Sequence, residues 1–140
     1  MSLNIGYEIQ KQIYATLTGD VTLMGLINGV YDHVPQSEGF AFIRLGTATY
    51  ADQESQSSTG FTGSIQIDCW TRDQNLGTAP AHAILTRVRD LLHNTDIWAI
   101  TGYCMINFRE VFRDVVAEAD TATYHGVVRY NLNLGGNTTI

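Results

Sequence analysis

The sequence predicts an α+β fold: a mainly antiparallel four-stranded sheet with two main helices packed on one face. Three observations predict it. From Phe61 to Leu92 the hydrophobic period changes from two to about 3.6, as expected where a half-buried strand gives way to an amphipathic helix. From Tyr124 to Leu134 the period of two returns in its clearest form. The element order, helix, short helix, strand, strand, helix, strand, strand, closes most simply as two hairpins with helices across their shared apolar face.

In chain order, Ile5, Ile9, Ile13 and Leu17 recur at helical spacing between Leu3 and Leu17, with Glu8, Gln10, Lys11 and Gln12 off that stripe. Asp20 is placed to cap a second short helix, Val21 to Ile27, by accepting from orphan N–H groups, and Asn28-Gly29 supplies a stop. Val30 to Pro35 reads as an edge or a connector, because Pro35 fixes its φ and lacks a donor. Phe40 to Gly46 is a short strand in which Ala41, Ile43 and Leu45 alternate with Phe40, Phe42 and Arg44. Thr47 to Gly60 follows as a long loop holding Asp52 and Glu54 and no basic residue, a length that marks a functional segment or one that orders on binding.

In the central unit Phe61, Gly63, Ile65, Ile67 and Cys69 form one face of a strand, and Thr62, Ser64, Gln66, Asp68 and Trp70 form the other. After a polar turn, Thr78 as N-cap and Pro80 in the first turn open a helix whose stripe is Ala81, Ile84, Leu85, Val88, Leu91 and Leu92. Tyr103 to Phe112 reads as a strand with Cys104, Ile106, Phe108 and Phe112 on the apolar face, and Arg113 to Thr121 as a second acidic connector. The last strand buries Tyr124, Gly126, Val128, Tyr130, Leu132 and Leu134, and Gly135-Gly136-Asn137 closes it with a flexible tail. Ile84, Val88, Ile106 and Tyr130 are expected in the core. The second sheet face, Thr62, Ser64, Gln66, Asp68, Asn107, Arg109, Arg129 and Asn131, is polar but scarcely charged, which suits contact with another subunit better than open solvent.

The totals set bounds. A chain of 140 residues is most simply one domain, 1–140, burying about 68% of its unfolded surface. Charged residues make up 16%, a deficit that suggests surface hidden by partners. A net charge of −6 with a single lysine, Lys11, argues against nucleic-acid binding, which needs clustered cations, though not against DNA passing close by. The N-terminus has neither a signal-peptide pattern nor a membrane span, so a soluble, cytosolic protein is expected.

Chemistry is sparse. His33, His82, His93 and His125 include no pair at helical ligand spacing and no companion Cys or carboxylate set, so no metal is expected, and His82 and His125 read as ordinary surface side chains. Ser55, Ser57 and Ser58 lie in no nucleophile elbow, and the 13 glycines form no phosphate-binding loop, so neither catalysis nor a cofactor is expected. Cys69 and Cys104, without a CxxC, read as buried thiols, with a disulfide or reactive site as the alternative. The acidic connectors are either solvated loops or a lining that would repel DNA phosphates and let a duplex slide.

The segment Val30-Tyr31-Asp32-His33-Val34-Pro35-Gln36, the strand ending Arg44-Leu45-Gly46, the run from Gly63 through Trp70 to Asp73, the helix from Ala79 and the closing stretch Glu118 to Leu134 resemble the tail-completion, or tail terminator, proteins of long-tailed phages and gene transfer agents. The likeness runs over nearly the whole chain in order. Phe40-Ala41-Phe42 departs from it where such sequences tend to carry Pro-Tyr. The resemblance implies a non-enzymatic virion protein forming a homo-oligomeric ring, a hexamer. The ring would sit on the tail tube, end its polymerisation and join the tail to the head-tail connector or stopper protein. DNA would pass through without specific binding, no membrane would be involved, and assembly would take place in the host bacterial cytoplasm. Asp52, Glu54, Gln56, Thr62, Gln66, Asp68, Arg109, Glu118, Asp120 and Arg129 are the expected contacts with subunit, tube or channel. A head-completion or adaptor protein is the alternative, and a small-ligand or enzymatic α+β domain a more distant one.

Overall fold

In the computed structural model, which describes residues 5–33, 39–46, 49–52, 60–72, 76–93, 103–118 and 123–136, the described residues form two helices, four strands, a third helix and two more strands, in that order. Helix α1 (Ile5–Thr18) buries Ile9, Ile13 and Leu17 completely, because their four-residue spacing keeps them on one stripe. Helix α2 (Val21–Met24) is a single turn. Asp20 caps it as expected, accepting from the Leu23 N–H at 2.8 Å. The helix does not reach Ile27. Gly25 is its C-cap, donating back to the Val21 carbonyl, since a glycine inside so short a helix costs about 1 kcal/mol with too few hydrogen bonds to offset it.

The sheet runs β1 (Val30–Tyr31), β2 (Phe42–Leu45), β4 (Gly60–Arg72), β6 (Thr123–Gly136), β5 (Tyr103–Ala117), with β3 (Thr49–Asp52) also paired to β4. The fold class is thus right and the strand number is not: the sheet is five strands wide, not four. β1 is the added edge, and it pairs parallel to β2 through Val30–Ile43 and Tyr31–Arg44. β3 also corrects the predicted long loop. Leu45 faces Ile67 and Thr49 faces Ser64, so four steps along the first strand match three along β4. The pairing of β3 is therefore offset by one residue from that of β2, and together they make the first predicted hairpin with β4.

The second hairpin, β5–β6, is longer than predicted. Arg113 to Ala117 continue the strand opposite Val128 to Tyr124, so much of the supposed acidic connector is paired backbone. Register shifts between Met105 and Asn107 and between Glu110 and Phe112 explain a misplaced side chain. After the second shift Phe112 faces Arg129 rather than joining Phe108 in the core, and it is exposed. β6 lies between β4 and β5 and is antiparallel to both, with α3 (Ala79–Leu92) as the crossover between β4 and β5. Thr78 holds the N-cap position of α3 without a side-chain capping bond, and Pro80 lies in the first turn.

α3 lies on β4, β5 and β6, and α1 packs against α2, α3 and the β1–β3 side of the sheet. Ile84, Val88 and Tyr130 are buried as expected, together with Ile43, Ile65, Ile67, Leu85, Phe108, Val128 and Leu132. Cys69 is a free, buried thiol, pushed up to about 12 by loss of hydration. The side chains of Cys104 and Ile106 lie outside the described residues, as does Pro35. Tyr124 is half-buried rather than core, while Gly126 is buried, where an added Cβ would come within 2.7 Å of Cys69 Sγ. Among the described residues no helix is long and apolar enough to cross a membrane.

Candidate functional site

The helices cover one face of the sheet, and the other is the candidate site. Its side chains fall in rows set by strand register. Phe42, Trp70, His125 and Val116 stand opposite one another across β2, β4, β6 and β5, and Arg44, Asp68, Val127 and Asp114 form the next row. Gln66, Arg129 and Phe112 follow, then Ser64, Asn131 and Arg109, then Thr62, Asn133 and Asn107. The face is graded. One end is aromatic and apolar, and the other is an otherwise neutral field of Thr, Ser and Asn around the exposed Arg109.

The polar groups of this face bond largely to each other. Arg129 Nη2 donates to Gln66 Oε1 at 3.0 Å, and Gln66 Nε2 donates to Asp68 Oδ1 at 3.2 Å. Asp68 accepts from His125 Nε2 at 2.8 Å, and His125 Nδ1 lies 3.8 Å from Glu118 Oε1. The Arg129 guanidinium also sits 5.6 Å from the centre of the Phe112 ring, so the chain of contacts crosses from β5 to β4. In the neutral field Asn133 Nδ2 donates to Asn107 Oδ1 at 3.1 Å, and the Thr49 and Ser64 hydroxyls meet at 2.8 Å. Such mutual satisfaction holds these side chains in one arrangement.

At the aromatic end the His125 ring stacks on Trp70 with centroids 4.4 Å apart and planes 7° apart, and Trp70 stacks on Phe42 at 5.4 Å. Phe40 and Tyr31 extend the cluster, and Arg72 lies over the Phe40 ring at 4.4 Å. Both nitrogens of His125 face carboxylates, so neither is aimed at a nucleophile. The Asp68–His125 couple is a brace between β4 and β6, not a general base. No group of three or more His, Cys, Asp or Glu side chains that could hold a metal occurs among the described residues.

Of the predicted contacts, Thr62, Gln66, Asp68, Arg109 and Arg129 do share this face. Arg109 and Arg129 are exposed, Thr62 and Gln66 half-buried. Asp68 is 5% exposed and committed to His125 and Gln66, so it shapes the face without presenting itself. Asp52 belongs to β3, opposite Phe61, rather than to a loop, and its side chain lies outside the described residues. Glu118 is exposed at the end of β5, where its N–H donates to the Thr123 carbonyl. Glu54, Gln56 and Asp120 lie outside the described residues. Sequence reasoning missed His125, read as an ordinary surface residue, and the exposed pair Phe112 and Val116. The signal for His125 was available: Trp70 and His125 both alternate with buried residues on adjacent long strands, and pairing those strands brings the rings together.

A family model described as "Tail completion protein gp17" matches residues 11–133. Two solved structures share the fold. One, in "Virion of native gene transfer agent (GTA) particle", is 21% identical at TM-score 0.81, with 96% of this chain and 100% of that chain covered. The other, "Structure of bacteriophage SPP1 gp17 protein", is 20% identical at TM-score 0.66, with 97% and 94% covered. No curated protein sequence matches.

Proposed function

The chain belongs to the tail completion protein gp17 family, and from that premise we propose that it assembles as a six-membered ring on the end of a phage-type tail tube. The ring ends tube polymerisation and offers its far rim to the head-tail connector or stopper protein. The observation that carries this reading is the open sheet face: five strands wide, uncovered by any described helix and held in place by its own hydrogen bonds. A surface of that kind recognises another protein by shape and hydrogen bonding. A ring of identical copies repeats one head-to-tail contact until it closes.

Within the ring, Thr62, Gln66, Arg109 and Arg129 contact a neighbouring subunit or the tube, with Asp68 as support. Asp52, Glu54, Gln56, Glu118 and Asp120 line the rim or the channel. With a net charge of −6 the ring repels DNA phosphates and lets the duplex through without a binding groove. Its role is structural, and assembly takes place in the host cytoplasm before the tail meets the head.

Native mass measurement of the pure protein, alone and with tube protein, tests the reading. A six-fold mass, or one that appears on adding tube protein, is expected. A monomer under both conditions contradicts it, and rings that bind connector but never tube would move the protein to the head side of the joint. DNA affinity rising steeply at low salt would contradict the channel assignment.

A further inference from the structure

The two lateral edges of the sheet differ in length. On one side the edge is broken into β1 and β3, two and four residues long. On the other side β5 runs for 15 residues with β6 along one flank and, among the described residues, no strand along the other. A long edge strand offers outward N–H and C=O groups to any second strand, and edge-to-edge pairing of identical copies is the hazard that follows. β5 has neither a proline nor a lysine to prevent it.

Register identifies the outward groups. The Glu118 N–H donates to the Thr123 carbonyl, so that end of the ladder is a hydrogen-bonded pair, and such pairs alternate from there. Val116 and Asp114 therefore turn their N–H groups to β6, whereas Ala117, Val115 and Arg113 turn theirs outward. Past the second register shift the outward position is Glu110, opposite Tyr130. Two of these outward donors are taken by side chains. The Val115 N–H donates to Asp114 Oδ1 at 2.8 Å, and the Glu110 N–H donates to His93 Nδ1 at 3.1 Å. His93 is the C-cap of α3, its own N–H bound to the Arg89 carbonyl, so the helix end fixes it beside β5. We infer that His93 and Asp114 guard the β5 edge, keeping it from pairing with the β5 of a second copy. Two identical edges can pair antiparallel about a two-fold axis, each supplying what the other lacks. Each guard fills a donor that the added strand would need, and sets an acceptor where an incoming carbonyl would lie. Contacts between copies then run through side chains, with no sheet shared across β5.

The inference goes beyond the ring reading and does not depend on it. His93→Ala with Asp114→Ala removes both acceptors and frees both donors. Native mass measurement should show this double variant associating beyond the wild-type mass, with an affinity for itself at least about tenfold higher than that of the wild type. Hydrogen exchange at Glu110, Arg113, Val115 and Ala117 should slow when the variant is concentrated enough to associate, compared with the same variant dilute. If the double variant melts early, Asp114→Ala alone, at an exposed position, carries the test with a smaller effect in the same direction. A folded variant that keeps the wild-type mass, or one that associates while its β5 amides exchange as fast as when dilute, would overturn the guard assignment and leave the ring reading standing. A wild type that never assembles with tube protein would overturn the ring reading and leave this inference standing.

Discussion

Tyr130 lies at the centre of β6 with its ring stacked on Phe108 at 4.9 Å, yet its buried hydroxyl has no hydrogen-bond partner among the described residues. Burial pushes that hydroxyl's pKa up, so it stays neutral. Removing an unsatisfied hydroxyl while keeping the ring should change stability by less than about 1 kcal/mol, whereas removing the ring should cost about 3 to 5 kcal/mol. Urea unfolding of Tyr130→Phe beside Tyr130→Ala checks both figures. Asp20 is a second residue whose surroundings dictate its behaviour. Arg87 donates to it twice, at 2.8 and 2.7 Å, and the Leu23 N–H once more. The Arg87 hydrogen bond, then that of Leu23, lowers its carboxyl from the ordinary 3.8 to about 2. A carboxyl depressed in the folded state contributes stability that is fully present above 3.8 and is lost as pH falls through about 2. Urea midpoints measured between these pH values should fall for the wild type and stay flatter for Asp20→Asn. The capping role of Asp20 was legible from its place before Val21, but its pairing with Arg87, 67 residues on, needed the packing of α2 against α3.

At the scale of elements, α3 was readable throughout because its stripe repeats a single period. Ile84 is 1% exposed on that stripe, and Ile84→Ala should cost about 2 to 5 kcal/mol through lost burial and a residual cavity, read as a lowered unfolding midpoint without a change of oligomeric state. β5 was only half readable. Its second register shift turns Phe112 to the open face and brings Arg113 to the helix side, where Arg113 donates to Glu110 at 2.9 Å and to the Leu85 carbonyl, and Arg89 donates to Glu110 at 2.8 Å. A strict period of two cannot reveal that switch, so the apolar run around Phe112 was assigned to the wrong face. β3 escaped for a related reason. Its pairing with β4 is offset by one residue from that of β2, which resets the alternation. The Trp70–His125 row joins β4 to β6 across the open face. His125→Ala should cost about 1 to 3 kcal/mol, because it leaves the buried Asp68 carboxyl short of a partner, while Asp68→Asn, which can still accept from His125, should cost less.

For the whole molecule, sequence period alone recovered one covered and one open sheet face. It could not supply the register that sorts the open face into an aromatic end and a polar end, nor the strand order that sets β1 and β5 at opposite edges. Of the acidic residues expected at the rim, Glu118 stands at the end of β5 and Asp52 in β3, whereas Glu54 and Asp120 lie outside the described residues. The family match over residues 11–133 makes the chain a tail completion protein, and the shared fold agrees with it.

Electron microscopy of tail tubes assembled with and without the protein tests the central claim most directly. The account predicts one ring at one end of each tube and tubes that stop lengthening once capped. Tubes that keep growing in its presence, or protein bound along their sides with the ends bare, would contradict it.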